Sequence, residues 1–118
     1  DRCIAEGERG EICTHRRIRA FDVASDGSLS NNRVFCDMSS AETGVPDGMK
    51  VDTEGRVYCT GSGGIWVISP QGEQIGIILI PEVPRNFTFG GPNLSTMYIT
   101  AGDSVYSLET KVRGIPAY

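Results

Sequence analysis

The sequence predicts an all-β fold of short antiparallel strands joined by tight turns. Three observations carry that expectation. Apolar and polar residues alternate in short runs, Gly and Pro punctuate those runs, and no segment sustains a helical apolar period. Fifteen glycines and six prolines among 118 residues leave little room for helices. The length allows a single small domain with a modest core. An apolar content of 39% with 22% charged residues is that of a globular chain.

The elements follow in order. Ile18-Arg19-Ala20-Phe21-Asp22-Val23 alternates, Ser25-Asp26-Gly27-Ser28 turns the chain, and Arg33-Val34-Phe35-Cys36 returns it. Gly48-Met49-Lys50-Val51 opens a second group, Asp52-Thr53-Glu54-Gly55 turns, and Arg56 to Thr60 follows. Gly61-Ser62-Gly63-Gly64 breaks the chain before Ile65-Trp66-Val67-Ile68, and Ser69-Pro70-Gln71-Gly72 leads into Gln74 to Ile80.

A repeat organises these runs. Tyr58-Cys59-Thr60-Gly61 recurs forty residues later as Tyr98-Ile99-Thr100-Ala101, and Ile65-Trp66-Val67-Ile68-Ser69 recurs as Ser104-Val105-Tyr106-Ser107-Leu108. Lys50-Val51-Asp52 corresponds to Thr88-Phe89-Gly90, and Ile18 to Cys36 fits the last two strands of an earlier copy. A period near forty with about four strands per copy is the signature of β-propeller blades. The expectation is a propeller fragment of about two and a half four-stranded antiparallel blades over residues 18–118, preceded by an irregular segment, 1–17. Tyr58, Trp66, Tyr98 and Tyr106 fall at matched repeat positions, and most of them are expected to pack between blades.

Charge and cysteine usage exclude several functions. Fifteen acidic against eleven basic residues argue against nucleic acid as partner. The run Ile75 to Ile80 is far too short to cross a bilayer, and no signal peptide opens the chain, so no membrane partner is expected. Cys3, Cys13, Cys36 and Cys59 form no CxxC pair, and His15 is the one histidine, so no zinc spacing exists. Cys36 and Cys59 sit in strand-like runs and read as buried free thiols of a cytoplasmic protein. Glu6, Glu8 and Glu11 read as a solvated face, and the sequons at Asn86 and Asn93 as chance.

At Pro46-Asp47-Gly48-Met49-Lys50-Val51-Asp52 the chain resembles the gluconolactonase family, which includes senescence marker protein and luciferin-regenerating enzyme. Ile18 to Val23, Asp52 to Tyr58, Phe89-Gly90-Gly91 and the run from Tyr98 to Gly114 carry the resemblance further. It implies a six-bladed propeller, a divalent cation (commonly calcium) in the central channel, and hydrolysis of sugar lactones or related esters. The family's metal ligands are a Glu and Asn residues of earlier blades plus the Asp of the Pro-Asp-Gly motif; that last ligand maps onto Asp47. The segments that would carry the others are not among these 118 residues.

The candidate site is therefore Asp47, as metal ligand and as the catalytic carboxylate, with Arg85 and Asn86 at the corresponding place in the next blade as substrate-binding residues. A carboxylate at the start of a blade's innermost strand faces the channel mouth, and hard cations take oxygen ligands. The bland alternative is a Pro-Asp-Gly turn that only starts a strand. Strand alternation expects one of Arg85 and Asn86 to face the channel. Ser62 lacks the Gly-x-Ser-x-Gly setting and a nearby histidine, and reads as a flexible turn residue. Two functions follow. The first is part of a metal-dependent lactone hydrolase, inactive as an isolated chain. The second is a non-catalytic truncated propeller that serves as a binding or assembly module. Uncovered blade faces predict a homodimer or a complementing propeller fragment as partner.

Overall fold

A computed structural model describes residues 16–42 and 44–116. It contains nine strands: β1 (Arg17–Val23), β2 (Leu29–Asp37), β3 (Met49–Val51), β4 (Val57–Gly61), β5 (Gly64–Ile68), β6 (Gln74–Ile78), β7 (Pro84–Gly90), β8 (Thr96–Ala101) and β9 (Ser104–Glu109). They form three antiparallel sheets in sequence order: β1-β2, β3-β4-β5-β6 and β7-β8-β9. The described residues include no helix, and none long and apolar enough to cross a membrane. Two outer strands, a complete four-stranded sheet and a three-stranded sheet match the blade count read from the repeat.

Period-two alternation explains how the sheets stack. In the central sheet Tyr58 and Ile65 face one way, and join Phe87, Phe89, Met97 and Ile99 of the third sheet in one core. Cys59, Trp66 and Ile68 face the other way, and join Cys36 and Met38 in a second core. The central sheet is thus buried on both faces, while each outer sheet covers one. Tyr58 and Phe89 meet edge to face with ring centroids 5.4 Å apart. Cys36 and Cys59 are free, buried thiols, as expected.

Tyr58 and Trp66 are core and Tyr106 packs against it, as expected of most of the four matched aromatics, while Tyr98 lies on the third sheet's uncovered face and is 44% exposed. One expectation changes: the repeat shifts by one residue in its third strand. Thr60 pairs with Ile65 and Thr100 with Val105, so Ile65 corresponds to Val105 and Trp66 to Tyr106. Of the N-terminal segment, only Arg16 and Arg17 fall among the described residues, and Arg17 already opens β1. The acidic cluster of Glu6, Glu8 and Glu11, together with Cys3, Cys13 and His15, lies outside them.

The turn after β3 is built on Asp52, which is fully buried. Its Oδ1 accepts from the amides of Glu54 (2.8 Å) and Arg56 (3.1 Å), and its Oδ2 from Arg56 Nε (2.8 Å) and the Tyr58 hydroxyl (2.9 Å). Four donors satisfy a buried carboxylate that would otherwise be costly. The C-terminal stretch returns to this turn. Thr53 N–H donates to Arg113 O (2.9 Å), Ile115 N–H to Val51 O (3.1 Å), and Asp52 forms a bridge with Gly114. The stretch that follows the third sheet is thereby tied to the end of β3 and its turn.

Candidate functional site

The loop from Met38 to Gly48 carries Asp47 between the first sheet and the second. Arg16 anchors its start. One Arg16 guanidinium nitrogen donates to Ser40 O (3.2 Å), Glu42 O (3.1 Å) and Ser62 Oγ (2.9 Å). Ser62 Oγ in turn donates to Gly44 O (3.2 Å), and Ser62 O accepts from Trp66 Nε1 (2.8 Å). Ser62 is buried, 3% exposed, so the expected flexible turn serine is instead a fixed tie between this loop and the β4–β5 turn. Gly63 supplies the left-handed backbone (φ 82°) that the two-residue turn requires.

Asp47 lies two residues before β3 and is exposed. The Asp47 amide and the Gly48 amide both donate to Thr60 Oγ1, at 3.1 and 3.0 Å. A cavity of about 550 Å³ opens beside Asp47, walled by Arg17, Ile18, Arg19 and Phe21 of β1, by Pro46 and Met49, and by Cys59. The arginines of this wall also engage β2: Arg17 Nε lies 3.9 Å from the Asp37 carboxylate, and Arg19 donates to Asn32 Oδ1 at 3.2 Å. Burial pushes the Cys59 thiol up to about 11, so it stays protonated and is no nucleophile at neutral pH.

The segments that carry the three residues singled out in the sequence meet at Gly48. Gly48 N–H donates to Arg85 O (3.2 Å), so the peptide after Asp47 lies against the start of β7. The approach is close. A Cβ on Gly48 would stand 2.8 Å from Asn86 Cα, which only glycine avoids. Asn86 pairs with Thr100, while the register slips between Pro84 and Asn86, at Arg85. Both Arg85 and Asn86 are exposed, so alternation does not select one of them. Asn86 Oδ1 accepts from the Phe87 amide (2.8 Å). Sequence reasoning missed Arg16 and Thr60. A hydroxyl repeated forty positions apart was a visible signal for Thr60, whereas nothing in the order of residues marks Arg16.

Whether this constellation fits a calcium ion is a matter of ligand count. Calcium takes six to eight oxygens. Among the described residues no group of three or more His, Cys, Asp or Glu side chains converges to hold a metal. Asp47 supplies one carboxylate, so the described residues alone do not fit the ion.

The family described as "SMP-30/Gluconolactonase/LRE-like region" matches residues 13–103. A regucalcin of Danio rerio is 38% identical over 89 residues, which is 71% of this chain and 30% of that protein. A gluconolactonase structure from Xanthomonas campestris superposes with a TM-score of 0.68 at 31% identity, over 79% of this chain and 30% of its own. A calcium-binding regucalcin from Agrobacterium tumefaciens superposes at 0.72 with 19% identity, over 85% and 40%, and so shares the fold. The chain therefore spans about a third of the length of such relatives. Nine antiparallel strands in blade-like sheets, matched over most of their length by one sequence family, make this chain part of a β-propeller and a member of the SMP-30/gluconolactonase/LRE-like family.

Proposed function

We propose that the chain is the C-terminal part of a metal-dependent hydrolase of sugar lactones or related esters, with Asp47 as one ligand of a divalent cation, calcium by the chemistry of an oxygen donor. The observation that supports this reading most is the position of Asp47: an exposed carboxylate beside a cavity, on a loop fixed at both ends, next to Gly48, whose backbone lies against Arg85 and Asn86. The name of the Xanthomonas relative supports a lactone as substrate, and that of the Agrobacterium relative supports calcium. Arg85 and Asn86 offer donors to substrate oxygens. The carboxylate of Asp47 holds charge at the site and accepts a hydrogen bond from an attacking water.

With Asp47 as the one carboxylate at this place among the described residues, the isolated chain cannot build a complete calcium site, and water must take the remaining positions. No turnover by the chain alone and weak calcium binding are therefore expected. Calorimetric titration of calcium into wild type and Asp47→Asn, beside a lactone hydrolysis assay, tests this. Weaker binding by Asp47→Asn than by wild type, with no turnover by either, is expected. Equal binding by both removes Asp47 from the site. Tight binding without turnover favours the other reading, a propeller part that serves as a binding or assembly module.

A further inference from the structure

We propose that Thr60 is a positioning residue for Asp47, and that Thr100, its counterpart in the next sheet, sets Asn86 beside it. The proposal rests on the reading of Asp47 as a site residue. Asp47 precedes β3 and so lies outside the ladder that holds β3 on β4. A residue outside the ladder needs other bonds to hold its backbone. Thr60 supplies such bonds. Its Oγ1 accepts from the Asp47 amide (3.1 Å) and the Gly48 amide (3.0 Å), while its own N–H donates to Gly48 O (2.9 Å). Three hydrogen bonds from one residue thus fix two consecutive residues. Thr60 is fully buried, so water does not compete for those bonds.

The residue type matters. Valine has the shape and no acceptor; serine has the acceptor without the γ-methyl that stiffens the side chain. Thr100 stands forty positions on and pairs with Asn86, as Thr60 bonds Gly48. There the hydroxyl works in the opposite sense and donates to Asn86 O at 3.2 Å. Two repeated hydroxyls therefore hold the entries of two neighbouring innermost strands, and the missing side chain at Gly48 lets those entries touch. A threonine that merely filled space would be replaceable by valine with no local change at Asp47.

The test uses the isotopically labelled chain as wild type, Thr60→Val, Thr60→Ser and Asp47→Asn, with calcium ion alone as the probe. In Thr60→Val the Asp47 and Gly48 amides are expected to exchange at least about tenfold faster, as local opening there becomes easier. The side-chain couplings of Asp47 should average between rotamers, and its calcium-induced shift should shrink several-fold. Thr60→Ser should restore all three, with amide protection of Ile65 and Met97 constant throughout. Unchanged exchange and couplings in Thr60→Val overturn the proposal. So does wild-type exchange of the Asp47 and Gly48 amides at the rate of an unstructured chain, which decides the matter even where Thr60→Val does not fold. A calcium response that Asp47→Asn leaves intact removes Asp47 as a ligand, and Thr60 is then judged by exchange and couplings.

Discussion

Asp52 shows how much one residue can organise. Burial disfavours its charge, but hydrogen bonds from Arg56, Tyr58 and the amides of Glu54 and Arg56 outweigh that and hold its carboxyl below the usual range. The same arrangement pushes the Tyr58 hydroxyl up to about 12, through burial and then through Asp52. A folded-state carboxyl below its unfolded value stabilises the fold above about pH 4, and the stabilisation is lost as pH falls through the lower folded value. Asp52→Ala strands Arg56 and the Tyr58 hydroxyl, and should cost about 3 kcal/mol at pH 7. Urea unfolding across pH should show that deficit narrowing below about pH 4. A deficit that stays constant into acid would show that the ionised carboxylate is not what matters. In the sequence this residue reads only as the first of an Asp-x-x-Gly turn. Its burial depends on the return of residues 113–115, a contact that local pattern does not encode.

At the scale of elements, strands and turns were legible because the central sheet, buried on both faces, is written in short apolar runs bounded by Gly-rich turns, and the outer strands alternate. Which of the four matched aromatics stays outside the core was not legible, because the same periodicity describes a face with a neighbouring sheet and a face without one, where Tyr98 lies. The one-residue shift at Ile65 arose because short strands of similar composition align almost as well in either register. Uncovered faces bring a consequence. Val105 on the third sheet is 71% exposed, Leu79 just past β6 is 75%, and Phe21, Val23 and Leu29 of the first sheet lie open. Apolar surface on this scale favours association. We propose that the isolated chain forms a homodimer or pairs with a complementing propeller fragment. Sedimentation at micromolar concentration should find a dimer or larger species, and a stable monomer would contradict this.

At the scale of the whole molecule, the blade pattern of two, four and three strands was legible from the repeat, because a propeller writes the same supersecondary unit repeatedly along the chain. The candidate site was legible only in part. Asp47, Arg85 and Asn86 were proposed from motif and repeat, and the fold brings Gly48, the neighbour of Asp47, against Arg85 and Asn86. The loop clamp built by Arg16, Ser62 and Thr60 depends on contacts across sheets, which no local pattern reports. The central claim is that Asp47 is the carboxylate through which this part of the propeller meets a divalent cation. Its most direct measurement is the side-chain carboxyl carbon shift of Asp47, followed by NMR as calcium is added to the isolated chain. The account predicts a progressive shift at Asp47, with weak apparent affinity, accompanied by the Asp47 and Gly48 amides. A calcium response confined to other carboxylates, with Asp47 unmoved, would contradict it.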